Sequence, residues 1–446
     1  MGQAATTSSG LGLPNLPCAL VPGHPATQSD AELTNNVRRV TLPNVLENLM
    51  NAPNETVELI DRRDPRDIVF SGAFEDVNAF FYDQEWSDGL PIVPPTIEKV
   101  EAFLRFTPRD RDEVLGVLLP DSRAASIWSI AVNGVMAGCR PEYMPVLVAL
   151  VEAMCDPEYG VEHSGNTPGA ETLIILNGPI VKDLDFNFTQ GALRDGFIAN
   201  TTIGRFWRLY LRNVAGFLLH KTDKATFGNT WRVALAENED AIREIGWTPN
   251  SVDMGFEAGD NTVTVVRYTG GGVIAAVTGD TPDKIMPYLA DRVAKQCSWE
   301  LFLTVGLSYG MVRPTLILSP LLASIIAKAG WSKSDVKRYL FDHARISATM
   351  FETYLNWTNH SVVSLTEEAN LGRIPQAFNA SSDPSRMVPI VFDPGDFMVL
   401  VSGDPLRNNA YAFSQNGYLG YPTAKKIDLP VEWDALLAAR PARGRP

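Results

Sequence analysis

The sequence predicts a mixed α/β protein: a larger α+β domain followed by a smaller α/β domain with a mostly parallel sheet. Three observations carry that expectation. Long apolar helical patterns run through Ala125–Met154. Short β-rich runs such as TLIILNGPI, NTVTVVRYT and MVPIVF are bounded by Gly, Pro and Asn turn signals. After Cys297, strand-like and helix-like segments alternate, as in βα units. The expected divisions are a disordered leader over 1–36, the larger domain over 37–298, the smaller over 299–430, and a tail over 431–446.

The 446 residues are 45% hydrophobic and 20% charged, enough for more than one core. A net charge of −14 opposes binding to nucleic acid or to anionic membrane surfaces. No uninterrupted apolar stretch reaches the roughly 18 residues a membrane span requires. The four cysteines form no CxxC pair, zinc-like cluster or disulfide framework, which fits reduced thiols in a cytoplasm. The leader is rich in Gly, Ser, Thr, Pro and Ala and lacks the basic start and apolar run of an export signal. It reads as an arm draped over a partner subunit of a homo-oligomer.

In EWSDGLPIVPPTIEKVEAFLRF, Asp88-Gly89 is a turn signal, and Pro91, Pro94 and Pro95 hold the next segment extended as a strap. Thr96 is a suitable N-cap for a helix from Ile97 to Phe106. Asp88 is a candidate for facing a pocket.

Ala125–Met154 reads as two apolar helices meeting at Gly138-Cys139-Arg140-Pro141. Gly138 suits a left-handed helix end, and Pro141 the first turn of the next helix. Cys139 then falls beside a helix N-terminus, where free N–H groups favour a thiolate, with Arg140 and Glu142 next to it. The polar loop DPEYGVEHSGNTPGAE follows and contains His163, ahead of the apolar strand TLIILNGPI.

ANTTIGRFWRLYLRNVAGFLL reads as a helix capped by Thr201 or Thr202, with Arg205, Arg208 and Arg212 on one face at i, i+3 and i+7. Such a stripe needs partners: carboxylates such as Glu237, Glu239 or Asp240, or an anionic substrate. The loop after it brings His220 and Lys221 towards the same face.

Gly270–Gly272 lies between two strand patterns and so does not fit a dinucleotide fingerprint. Thr281-Pro282 and Ser332 read as helix starts. The strand ends Leu318-Ser319-Pro320 and Ser402-Gly403-Asp404 are expected to be neighbours, with Ser402 and Gly403 lining a cleft beyond the carboxyl ends of the strands.

Four stretches, DGLPIVPPT, AVNGVMAGCRPEYMPV, ANTTIGRFWRLYLRNVAGF and LILSPLLASIIAKAGWSKSDVKRYL, together resemble a bacterial family associated with the UGSC (seleno)protein group. In that group a Sec/Cys-Gly-Ser-Cys module is fused to, or encoded beside, a body of this kind. The resemblance spans roughly Trp86 to Leu429 and implies thiol or selenol redox chemistry on a partner module. This chain contains no CGSC and no vicinal cysteine pair, so a second thiol would come from a redox partner chain.

The leading functional expectation is an enzyme acting on a small anionic molecule in an interdomain cleft. Cys139 would be the nucleophile or redox thiol, His163 or His220 the acid/base, and Glu142 an orienting group. Arg205, Arg208, Arg140 and Lys221 would hold the anion, with Asp88 at the pocket and Asn133 and Asn200 as oxyanion donors. The alternatives are a non-catalytic body subunit and metal-dependent chemistry, the latter requiring His163, His220 and His343 to converge. No cofactor and no metal site can be named from the sequence.

Overall fold

Alternating side chains along the apolar strands dictate the layers of this fold. In the computed structural model, the described residues are 16–51, 64–229, 233–297, 309–359, 363–414 and 420–440, with the single positions 8, 13 and 305. Within β3 (Glu171–Asn177), Leu173 and Ile175 point to one side and Ile174 and Leu176 to the other. β4 (Ala234–Ala236), β5 (Thr262–Tyr268) and β12 (Thr423–Lys426) complete a sheet ordered β12-β5-β3-β4. A second sheet, ordered β10-β7-β11-β6, is built from β6 (Gly270–Ile274), β7 (Thr315–Leu318), β10 (Met398–Val401) and β11 (Ala410–Ser414). Two small antiparallel pairs, β1 (Val114–Leu118) with β2 (Arg123–Ser126) and β8 (Arg345–Ser347) with β9 (Met387–Pro389), lie outside these sheets.

The sheets meet face to face through Leu173, Ile175, Val266 and Tyr268 on one side and Ile317, Leu400 and Phe413 on the other. The outer face of the first sheet is covered by α1 (Ile127–Ala137), α2 (Met144–Cys155) and α3 (Ile198–Tyr210). The outer face of the second is covered by α4 (Pro282–Cys297), α5 (Pro320–Lys328) and α6 (Lys333–His343). The result is four layers, helix–sheet–sheet–helix.

Both sheets repeat one pairing pattern. β3 is parallel to β4 and antiparallel to β5, which is antiparallel to β12; β7 is parallel to β10 and antiparallel to β11, which is antiparallel to β6. In chain order the units are β3-β4-β5-β6 and β7-β10-β11-β12, so each donates its last strand to the sheet of the other. The matching runs Thr172-Leu-Ile-Ile-Leu and Thr315-Leu-Ile-Leu both lead into a proline turn and a helix.

Mixed α/β is therefore the fold, with two corrections to its details. The second sheet is not mostly parallel, since one of its three pairings is parallel and two are antiparallel. The boundary expected at residue 299 does not divide the cores: β6 and α4 belong to the second core, and β12 returns to the first sheet. Strand exchange is a long-range pairing that local pattern does not encode.

Local expectations fare well. Gly138 closes α1 in the left-handed region (φ 80°), Pro141 opens a 3-10 turn, and α2 follows at Met144. Gly89 has φ 88°, and Thr96 is the N-cap of Ile97–Leu104. Ser332 forms a capping box with Asp335 at the start of α6. The Arg-bearing helix starts earlier than expected, with Phe197 at the N-cap, because the Thr202 hydroxyl turns back onto the Ile198 carbonyl. The end of the leader is helical: Asp30–Asn36, a π turn over Val37–Thr41, and Leu42–Met50 run on as one arm; residues 1–7 and 441–446 lie outside the described residues.

Candidate functional site

The carboxyl ends of β3 and β4 open onto a cleft of about 570 Å³. Gly178, Pro179, Val181 and Phe188 form one wall, Ile242, Trp247 and Pro249 another, and Glu237, Glu239, Asp240, Lys182 and Arg243 supply the charge. Crevices at strand carboxyl ends are where open α/β sheets hold ligands. Gly178 follows the strand with φ 96°, which only glycine adopts without strain. Its N–H donates to Glu239 Oε1 at 2.8 Å, and Asn177 Nδ2 donates to the same oxygen at 3.0 Å.

Glu237, the first residue after β4, has a fully buried side chain at the cleft floor. Its carboxylate accepts from Asn177 Nδ2 (2.8 Å), Asn250 N–H (2.7 Å) and Val401 N–H (3.2 Å). Lys333 Nζ lies 3.9 Å away and also contacts Asp253 at 3.1 Å. Burial drives the Glu237 carboxyl above its ordinary value, although Lys333 and the three donors oppose the shift. A carboxyl so poised at the floor of a cleft is suited to proton transfer. At the rim, Asp240 pairs with Lys182 at 2.7 Å and with Arg243.

The Arg stripe is closed from within, by other partners than expected. Arg205 forms a fork with Asp88, at 2.9 and 3.1 Å, and donates to the Pro91 carbonyl. Asp88 therefore secures the strap and does not face a pocket. Arg208 pairs with Asp223 at 2.6 Å and lies 3.6 Å from Glu171. Arg212 donates to the Glu85 carbonyl at 2.6 Å, and Lys221 pairs with the Glu85 carboxylate. Glu237, Glu239 and Asp240 are not partners of this stripe; they belong to the cleft.

Cys139 sits where the corner was expected, but buried rather than open to solvent. The residue is 9% exposed, and burial pushes its thiol up to about 12, against the Thr202 hydroxyl and the Arg205 charge. Desolvation outweighs any gain from the adjoining short 3-10 turn. At pH 8 the native thiol is expected to alkylate about a thousandfold more slowly than an unperturbed cysteine. Site-resolved mass spectrometry of native and urea-unfolded protein checks this; rapid native labelling of Cys139 would contradict it.

The remaining candidates scatter. His163 ends a 3-10 turn, is partly buried, and has its pKa lowered chiefly by burial. His220 is exposed in the left-handed region, and His343 stacks on Tyr339. The side chains that act on Cys139 are Thr202 and Arg205; among the described residues neither His163, His220 nor Glu142 is a partner of it. Asn133 donates to the Ser129 carbonyl and accepts from Asn213, and Asn200 bridges Asn187 to the Ala234 carbonyl. Their amides are used by the scaffold, which removes them as oxyanion donors. Ser402 does neighbour Leu318, and its hydroxyl donates to the Ala236 carbonyl at 2.8 Å; Gly403 N–H donates to the carbonyl of Phe188, a cleft residue. Both N–H groups and the Ser402 hydroxyl are thus spent on backbone carbonyls behind the cleft wall. Among the described residues no three of His, Cys, Asp and Glu gather as metal ligands would.

Comparison with protein-family models, with curated proteins and with solved structures finds no match to this chain. The site therefore rests on its own geometry. Sequence reasoning missed Glu237 and Lys333 as site residues. One local signal was present: ALAENED places an acidic residue directly after an apolar strand.

Proposed function

We propose that the chain is an enzyme acting on a small molecule in the cleft beyond β3 and β4, with Glu237 transferring a proton. The observation that carries this reading is the buried Glu237 carboxyl, raised by desolvation, at the floor of a largely apolar cleft. A lyase-type step suits one acid/base group and does not call on the Cys139 thiolate. The anionic group expected of the substrate would be held by Lys182 and Arg243 rather than by Arg205 and Arg208. Lys182 and Arg243 side chains are 60% and 74% exposed, so their pairing with Asp240 is cheaply exchanged. The Arg205 and Arg208 pairs are largely enclosed, with buried carboxylate side chains, and cost more to open.

The test is incubation of the protein with a low-molecular-weight cell extract fraction rich in carboxylic acids and phosphate esters, followed by mass spectrometry. A component should be consumed by the wild type and by Cys139→Ser, but not by Glu237→Gln or by Ala258→Trp, which fills the exposed cleft mouth. Equal consumption by all four, or by none, would count against the reading.

A second reading is that the chain is an oligomeric body beside a redox module on another chain, as the likeness to the UGSC-associated family suggests. The arm over Asp30–Met50 favours it. None of its residues is buried, and its apolar side includes Leu33, Val37, Val40, Val45 and Leu49. The π turn adds one residue, so the stripe continues at Val45 and Leu49 instead of reaching Asn44 and Asn48. The acidic helix Phe74–Asp83 of a second copy, with Glu75, Asp76 and Asp83 and exposed Phe74 and Tyr82, complements this stripe and Arg38-Arg39. An arm about 30 Å long and 10 Å wide, exchanged twice, covers on the order of 1,200 Å², enough for a stable dimer. Light scattering should show a dimer that Val45→Glu with Leu49→Glu converts to a monomer.

A further inference from the structure

We propose that the molecule turned over in the cleft carries a protonated primary or secondary amine, and that Glu239 is the residue that seats it. The inference rests on the reading of this cleft as the reaction site and adds the chemical class of the substrate.

The charged groups that line the cleft do not all neutralise one another. Lys182 and Arg243 both turn to Asp240 at the rim. Glu237 accepts from three N–H donors and has Lys333 Nζ 3.9 Å away. Glu239 is left over. Among the described residues its carboxylate has no cation, and its two donors, Gly178 N–H at 2.8 Å and Asn177 Nδ2 at 3.0 Å, both reach Oε1. They hold the carboxylate in place and leave Oε2 for the cleft that the residue lines.

The backbone makes this arrangement rigid. Gly178 presents its N–H from φ 96°, and a Cβ there would meet the Asp260 carbonyl oxygen at 2.5 Å. On the other side, the Glu239 N–H closes a turn onto the Glu237 carbonyl at 3.1 Å. The remaining oxygen calls for a positively charged N–H donor. The walls of Phe188, Ile242, Trp247 and Pro249 keep the local dielectric low, which strengthens a charge-assisted hydrogen bond.

The position also suits the chemistry. Asn177 Nδ2 donates to Glu237 at 2.8 Å as well as to Glu239, so the two carboxylates meet at one nitrogen. An ammonium on Glu239 therefore lies beside the group that moves a proton. The anionic group of the same molecule then turns outward to Lys182 and Arg243. The substrate class is a small amino acid or amino phosphate in the chemical sense, amine inward and anion outward.

The test begins by splitting the low-molecular-weight extract on a cation exchanger in acid. The retained fraction then holds molecules with a protonated nitrogen, and the flow-through holds the others. A component of the retained fraction should be consumed by the wild type and not by Glu237→Gln. Glu239→Gln, which keeps an acceptor for Gly178 and Asn177, should lower kcat/KM for that component about tenfold or more, mainly through KM. N-acetylation of the purified component, which removes its charge, should abolish its consumption by the wild type, a result that needs no variant. Consumption confined to the flow-through would overturn the amine and leave the Glu237 reading standing. An unchanged KM in Glu239→Gln, or equal consumption of the N-acetyl derivative, would overturn the seating of the amine on Glu239. Consumption in neither fraction would overturn both readings.

Discussion

Replacing Lys333 with Met is expected to lower the unfolding free energy by about 3–5 kcal/mol at pH 8, and by much less at pH 4. The Lys333 side chain is 6% exposed and stands between Glu237, which is fully buried, and Asp253. Methionine keeps most of the apolar stem and removes the charge. Glu237 is then left ionised without a cation, while Asp253 retains Lys337 at 3.5 Å. The pH dependence follows from the raised carboxyl of Glu237. Between its unfolded and folded pKa values the folded state binds more protons, so stability falls as pH rises through that window. Below the window Glu237 is neutral in both states and needs no counter-charge. Without Lys333 the folded pKa climbs further, and the decline extends to higher pH. Urea unfolding at the two pH values measures both effects; a loss independent of pH would assign the role of Lys333 to packing alone.

Arg208→Met is the second large effect, with an expected loss of about 3–5 kcal/mol. Arg208 faces two carboxylates, Asp223 with a 2% exposed side chain and Glu171 with 8%. Removing the guanidinium leaves Asp223 without its cation in a region of low dielectric and takes one cation from Glu171, which also accepts from Thr172 N–H. Asp223 also holds its own loop, accepting from Ala225 N–H at 3.1 Å, so the damage reaches the segment after the helix. A cycle with Asp223→Asn separates the charge from the stem: the double variant should recover part of the loss, because the carboxylate left without its cation is gone. A small, non-interacting effect would mean that Arg208 is free to serve a ligand.

The two sets of charges show where reading along the chain succeeds and where it stops. The spacing of Arg205, Arg208 and Arg212 was enough to place them on one helix face, because a helix repeats every 3.6 residues. Their partners were not legible. Asp88 lies 117 residues from Arg205, and Asp223 comes from the loop that the chain folds back after α3. Two of the carboxylates that the sequence offers as partners, Glu237 and Glu239, turn instead to Lys333, Asn177 and the Gly178 N–H.

Cys139 shows the same division within one residue. Gly138 and Pro141 determine the corner, since each suits a backbone conformation that few other residues favour. Whether the thiol ionises depends on how much water reaches it, and packing of the corner against Thr202 and the strap removes that water. The strand-exchanged halves had a trace in the sequence, the paired runs beginning at Thr172 and Thr315, yet nothing local says that β6 crosses to the second sheet or that β12 returns to the first. The sequence by itself determined the mixed α/β class, the corner, the strap, the caps and the Arg face, all set by backbone preferences and short periodicities. Only the tertiary structure decided which charges are neutralised, which thiol is silenced and where a cleft opens, because desolvation and ion pairing depend on residues brought together from distant parts of the chain.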